Sequence, residues 1–368
     1  MWIIKAKNQD FIVVEKLETL PKGGDYFLYF LKKQGRTTLS VIKEVIKVYK
    51  LKRGAISFAG MKDRDGITYQ YIVSTVDIGD KIETNTYTLW KLYRVSSHLD
   101  RTFLQGNYFS ILIRNADFID LGKLGNGFVN YFDYQRFSVF SEGIAAKLIL
   151  QRKYKQALWT LLTPGTRTKI EEYFFNEDFR ECRKLANTPW ERRIFDFLKR
   201  KGPRYRESLK YVDGDQRAIS MIAYQSYLWN KTVSKIVEHL SSDVKYIEVL
   251  DMKLAISNKL KTNYKVPYLT WFLSEDWWDL PFVVRQAIEE VLAEEGFKEL
   301  FELKTKVHGY TMILRYRDML VRPQHVNLFS DDIGCRMIFF LPKGAYATMY
   351  IKQLAAYHGE VVQVGYGE

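Results

Sequence analysis

Apolar residues in the first 115 positions come in short dense runs rather than at helical intervals. Phe11-Ile12-Val13-Val14-Glu15, Tyr26–Leu31, Thr68–Val73 and Tyr108–Ile113 are rich in β-branched and aromatic side chains, which suits buried or half-buried strands. Between the second and third runs, Leu39, Ile42, Val45, Ile46 and Tyr49 recur at helical spacing and predict a helix started by Thr37 or Thr38. From Gln151 to about Lys306 the pattern is mainly helical. Ile222, Ser226, Trp229, Val233, Ile236 and Leu240 form one amphipathic stripe. Asp279-Leu280-Pro281 opens another helix, with Val284, Ile288, Val291 and Leu292 on one face and Gly296 past its end. Strand character returns at Met337–Leu341, closed by Pro342 and Gly344, before a helical Ala347–Ala356. The pattern predicts an α+β chain in which 1–150 and 306–368 form one domain and 151–305 is a mostly helical insertion; two sequential domains are the alternative.

Composition narrows the class. With 47% apolar and 15% aromatic residues, the 368-residue chain can bury a sizeable core. Its net charge of +13 points to a polyanionic partner, with nucleic acid the common one, against the plainer reading of a merely basic protein. Cys182 and Cys335 lie too far apart for a metal motif and are too few for a disulfide framework, so a reducing cytosol is expected. The five histidines are scattered, which argues against a His-based zinc site. No run approaches the length of a membrane span, and residues 1–7 lack a signal-peptide apolar run.

Three segments could carry chemistry. In Ser57-Phe58-Ala59-Gly60-Met61-Lys62-Asp63-Arg64-Asp65-Gly66, an apolar stretch ends in a glycine and a Lys-Asp pair follows. Gly60 would permit an unusual turn, and Lys62 and Arg64 would favour the ionised form of Asp63 if they turn toward it. Taken alone, the segment reads as a solvated charged turn. Asn130-Tyr131-Phe132-Asp133-Tyr134-Gln135-Arg136-Phe137 offers amide and guanidinium donors beside aromatic faces, suited to a stacked base or equally to a strand that is half core. Gly122–Gly127 just before it lacks phosphate-loop spacing and reads as a turn. The densest basic stretch, Arg180–Lys210, holds eleven basic residues against four acids, with Trp190, Phe195, Phe197 and Tyr205 interleaved. Its concentrated charge suits a surface that tracks an RNA backbone through Arg192, Arg193, Lys199, Arg200 and Lys201; a solvated helix face is the alternative.

Five segments together resemble the TruD family of tRNA pseudouridine synthases, in order and rough spacing over nearly the whole chain. Ser57–Asp63 resembles the family's Gly-x-Lys-Asp motif, and Asn130–Phe137 its Asn-x-Phe-Gly-x-Gln-Arg-Phe motif. Leu341–Thr348 is similar to its Leu-Pro-x-Gly-Ser-Phe/Tyr-Ala-Thr motif. Lys5 with Asp10-Phe11 resembles the opening segment, and Ala223–Asn230 a helix of the inserted domain. The resemblance implies a pseudouridine-synthase catalytic domain with a mixed, mainly antiparallel sheet, carrying an inserted, mostly helical TRUD domain. It implies isomerisation of uridine to pseudouridine in tRNA, at position 13, in the cytoplasm. Asp63 is then the catalytic carboxylate, and Phe11, Asn130 and Tyr346 contact the target nucleotide. Lys5, Lys62 and Phe132 join them as candidate substrate contacts, the two lysines by binding phosphate or steadying Asp63.

The reaction moves the ribose bond from uracil N1 to C5 without gaining or losing atoms, so no cofactor and no metal is expected. The partner is RNA, with neither a membrane nor an obligate protein partner implied. Asp133 and Ser138 stand where the family has glycines, and Asn8-Gln9 where it has Pro-Glu. A non-catalytic RNA-binding or RNA-chaperone protein on the same fold is the alternative; the intact Asp63 argues against it. A zinc deaminase would need a Pro-Cys-x-x-Cys signature, which is missing.

Overall fold

A computed structural model describes residues 1–137 and 145–365, so Ser138 lies outside the described residues. In chain order the elements begin β1 (Trp2–Ile4), β2 (Phe11–Leu17), β3 (Lys22–Gln34), α1 (Thr38–Val48), β4 (Ile56–Phe58), β5 (Ile67–Ser74), β6 (Lys81–Glu83), β7 (Tyr87–Val95), β8 (Leu104–Arg114) and β9 (Phe128–Val129). Helices follow: α2 (Ala145–Leu150), α3 (Tyr154–Leu161), α4 (Pro164–Phe175), α5 (Phe179–Leu185), α6 (Pro189–Lys201), α7 (Tyr205–Ser208) and α8 (Gly214–Leu240). After them come β10 (Lys245–Val249), β11 (Met252–Ile256), β12 (Lys265–Pro267), α9 (Phe282–Glu294) and β13 (Tyr316–Asp318). The chain closes with β14 (Leu320–Val321), β15 (Gln324–Asp331), β16 (Gly334–Pro342), α10 (Ala347–Tyr357) and β17 (Val362–Val364).

Two compact units result, one of Met1–Asn130 with Leu320–Glu368 and one of Tyr131–Met319. The first is built on a sheet in the order β15-β16-β8-β2-β5-β3-β7-β6, with β1, β17 and β4 attached. Pairing is antiparallel except for β2 with β5 and β1 with β17, which makes the sheet mixed and mainly antiparallel as expected.

Strand periodicity decides what this sheet buries. Paired residues share a face, so Lys33, Thr68, Val13, Phe109 and Phe339 form one row across β3, β5, β2, β8 and β16. All five are buried. On this face α1 covers Tyr29, Leu31 and Ile72 through Val41, Ile42 and Val45. Over β16, Tyr350 of α10 meets the Phe339 ring edge-on at 4.9 Å. Thr37, rather than Thr38, caps α1, its hydroxyl accepting from Ser40 N at 3.1 Å.

In the second unit, α8 is the central helix. Its Trp229 and Tyr224 are fully buried, and the Trp229 indole donates to Val266 O at 3.1 Å. The buried Glu191 opens α6 in a capping box with Thr188 and also accepts from Thr163 and Thr166. The hairpin β10–β11 adds a strand feature that the helical reading of this stretch did not anticipate. Among the described residues, no helix is long and apolar enough to cross a membrane.

Candidate active site

The loop between β4 and β5 carries Asp63, and the side chains beneath it explain its shape. Lys33 and Glu15 occupy inward positions of strands whose other inward residues are apolar, Gln70 lies inward on β5 between Thr68 and Ile72, and all three are buried. Gln70 Nε2 donates to Gly60 O at 3.2 Å, and Thr38 donates to Gln70 Oε1 at 2.7 Å. The Thr38 hydroxyl also accepts from Lys62 N at 3.0 Å. Lys33 Nζ donates to the backbone carbonyls of Asp63 and Arg36, the second at 2.8 Å. Its acceptors are neutral, so burial outweighs the nearby Asp63 and Asp65 charges and the Lys33 ammonium is pushed down from 10.5 to about 8.

The conformationally special glycine is Gly66, at φ +120°, and not Gly60, which lies outside the left-handed region. A Cβ at Gly66 would come 2.6 Å from Phe11 O, so only glycine lets the loop close onto the start of β2. There Gly66 N donates to Asn8 Oδ1 at 2.9 Å. That segment is itself anchored by Arg114, which grips Asp10 through two bonds of 2.8 and 2.9 Å.

These anchors bring Lys5, Phe11 and Asp63 together. Lys5 Nζ stands 3.4 Å from Asp63 Oδ2 and 4.2 Å from the Phe11 ring centroid. The Asp63 side chain keeps 29% of its surface exposed, so it is reachable from solvent while ion-paired. Lys62 does not join it. Its ammonium turns to Glu15 Oε1 at 2.6 Å, with the Glu15 side chain wholly buried and its second oxygen accepting from Tyr71 N at 3.0 Å. Lys62 therefore steadies the loop from below, while Lys5 places a cation at the Asp63 carboxylate.

Asn130 and Tyr346 belong to the same unit and are placed by a second tie. Gln353 of α10 both donates to and accepts from the backbone of Val129, at 2.7 and 2.8 Å. Asn130 follows directly and is buried; Tyr346, half-buried, occupies the N-cap position of α10.

Phe132 lies in the second unit. It is buried edge-on against Trp229 and Tyr268, with the Arg317 guanidinium 4.2 Å from its ring centre. Asp133, at the family's glycine position, is buried there and accepts from Tyr134 N at 2.8 Å. Arg192, Arg193, Lys199, Arg200 and Lys201 are exposed on α6.

Sequence reasoning missed Lys33, Glu15, Gln70 and Thr38. For Lys33 and Glu15 a signal existed: a polar residue at every-second-position register with buried apolar neighbours on one strand, as in Tyr29, Leu31, Lys33 and in Phe11, Val13, Glu15.

A mixed, mainly antiparallel sheet with a solvent-reachable, lysine-paired aspartate on a loop beside it is the arrangement expected of an RNA pseudouridine synthase. A crystal structure of a TruD protein from Methanosarcina mazei shares the fold, with a TM-score of 0.67 over 95% of this chain and 92% of that one at 20% identity. The sequence model of the family described as tRNA pseudouridine synthase D (TruD) matches residues 2–261, and the chain belongs to that family, whose activity is the isomerisation of uridine to pseudouridine in tRNA. Among its relatives, “Probable tRNA pseudouridine synthase D 1” of Methanococcus maripaludis is 27% identical, covering 95% of this chain and 98% of its own length. The Aquifex aeolicus “tRNA pseudouridine synthase D” is 25% identical over 95% of this chain and 97% of its own. Membership does not favour the non-catalytic alternative.

Proposed function

We propose that this chain converts the uridine at position 13 of tRNA to pseudouridine, with Asp63 as the catalytic carboxylate. The observation that carries the reading is the Lys5–Asp63 pair, a partly exposed carboxylate fixed by an ammonium on a loop anchored from beneath. The carboxylate acts on the ribose, either by adding to C1′ or by removing a sugar proton. Either step lets the N1–C1′ bond break. The freed uracil turns and C5 bonds to C1′ as the carboxylate leaves C1′ on the first route or returns the sugar proton on the second; the C5 proton is then lost as N1 gains one, so the product is an isomer of the substrate.

Phe11, Asn130 and Tyr346 would hold the base while it turns, through ring faces and an amide. Lys5 would keep the Asp63 carboxylate oriented through the step. In this reading the first unit is the catalytic domain and the second is the inserted domain, whose α6 cations meet RNA phosphates. The setting is cytoplasmic.

Mapping pseudouridine in tRNA from cells with and without this chain tests the reading. Loss of the modification at position 13 alone is the expected result. Loss confined to another position would overturn the site assignment on tRNA.

A further inference from the structure

In the second unit, two adjoining clefts of about 510 and 370 Å³ share Arg152 and Tyr154 in their walls. Seven cations line them: Lys155, Arg206, whose guanidinium donates to Lys306 O at 3.0 Å, and five more, which are Arg152 and Lys153 from the α2–α3 turn, Arg204 from the chain after α6, and Lys304 and Lys306 from the chain after α9. All five side chains are exposed, and none forms an ion pair among the described residues. Acids are not lacking nearby, since Lys155 in the same wall pairs with Glu177 at 3.2 Å, and Glu207 and Glu302 also line the clefts. Phe301 presents its ring at 58% exposure, with the Lys304 ammonium 5.4 Å from it and 4.1 Å from the Trp271 ring.

We infer that this groove binds the phosphodiester backbone of the substrate RNA, with Phe301 as a stacking face for a base. The inference rests on the reading of the chain as a tRNA pseudouridine synthase and adds an RNA-binding surface beyond α6. Five like charges along one groove repel each other, and a ligand with regularly repeated anions relieves that repulsion while releasing its own counterions. An acidic polypeptide would supply charge too, but it has no use for an exposed ring beside an ammonium, whereas every nucleobase has a face to stack there.

Lysine acetylation of the full chain, read by mass spectrometry with and without unmodified tRNA, tests this. Lys153, Lys304 and Lys306 should be protected severalfold by tRNA, while the exposed Lys253 and Lys259 outside the groove should not. Absence of protection would overturn the inference, as would equal protection by polyglutamate at the same ionic strength. The combined variant Arg152→Gln, Lys153→Gln, Arg204→Gln, Lys304→Gln, Lys306→Gln provides a second readout. Its affinity for tRNA should depend less on salt, by roughly 0.7 to 0.9 in the log–log slope for each phosphate no longer neutralised, with a raised KM. An unchanged slope would contradict the assignment. A wild-type chain that shows this protection but forms no pseudouridine would sink the proposed function and leave the groove standing.

Discussion

Lys5 Nζ stands 3.4 Å from Asp63 Oδ2 across 58 positions of sequence. The pair exists because Gly66 lets the Asp63 loop close on the start of β2, while Arg114 pins Asp10 just before that strand. Lys5 itself holds a left-handed backbone, at φ +57°, which is uncommon for a lysine and consistent with a position set by its surroundings.

Lys5→Met should lower kcat by about tenfold to a hundredfold, the scale of one lost charge-assisted hydrogen bond of about 1.5–3 kcal/mol. Single-turnover rates on a tRNA transcript measure it. A rate within twofold of wild type would show that the ammonium is incidental.

Lys62→Met should destabilise the first unit by about 3–5 kcal/mol, because Glu15 would stay buried without its cation. The double variant Lys62→Met, Glu15→Gln should recover much of that loss, since the glutamine keeps an acceptor for Tyr71 N. Urea unfolding of the four proteins gives the coupling. Additive losses would mean the two side chains do not depend on each other.

Lys33 makes a pH-dependent prediction. Its folded-state value of about 8 lies below the ordinary 10.5, so between those limits the unfolded chain holds more protons. Stability contributed at this site therefore rises as pH climbs from about 8 to about 10.5, and the burial cost is fully present below 8. Asp63, Asp65 and Lys62 are the charged groups that act on it. Relative to Lys33→Met, the wild type should gain urea resistance across that window. A difference that does not change with pH would contradict the assigned environment. Lys33→Met should also slow turnover more than it weakens RNA binding, since it frees the backbone of Asp63.

Much of this architecture was legible in the chain. Dense β-branched and aromatic runs marked β2, β3, β5, β8 and β16, since such side chains suit a buried pleated surface. The helix α1 was legible in position and in the centre of its buried face, since Ile42, Val45 and Ile46 of the predicted stripe pack against the sheet. Leu39 and Tyr49 of its predicted stripe are exposed, and Val41, outside that stripe, is fully buried. Spacing alone therefore found the centre of the buried face but not its edges. The hairpin β10–β11 was hidden because its strands are five residues each, carry Lys245, Glu248 and Lys253, and sit among helices. At the site, the Gly-x-Lys-Asp motif found Asp63, but the partner of each lysine was beyond reach. Lys62 and Lys5 look interchangeable in sequence, and only the register of β2 against β5 sends one to Glu15 and leaves the other at Asp63.

Neutralising Lys199, Arg200 and Lys201 together should weaken tRNA binding and flatten its salt dependence, by roughly 0.7 to 0.9 in the slope for each phosphate these cations had neutralised. All three lie exposed in the last turn of α6. Binding titrations over a range of salt concentrations measure it, and an unchanged slope would show that this end of α6 does not meet RNA.

The most direct test of the central claim is tritium release from uracil C5 of labelled tRNA by Asp63→Asn. The substitution keeps the side chain's shape and removes its charge, and both hydrogen bonds donated by Lys33 go to backbone carbonyls, so the loop's anchor does not depend on the carboxylate. The account predicts no release above background, with tRNA affinity close to wild type. Appreciable turnover by the clean variant would contradict the assignment of Asp63 as the group that acts on the ribose.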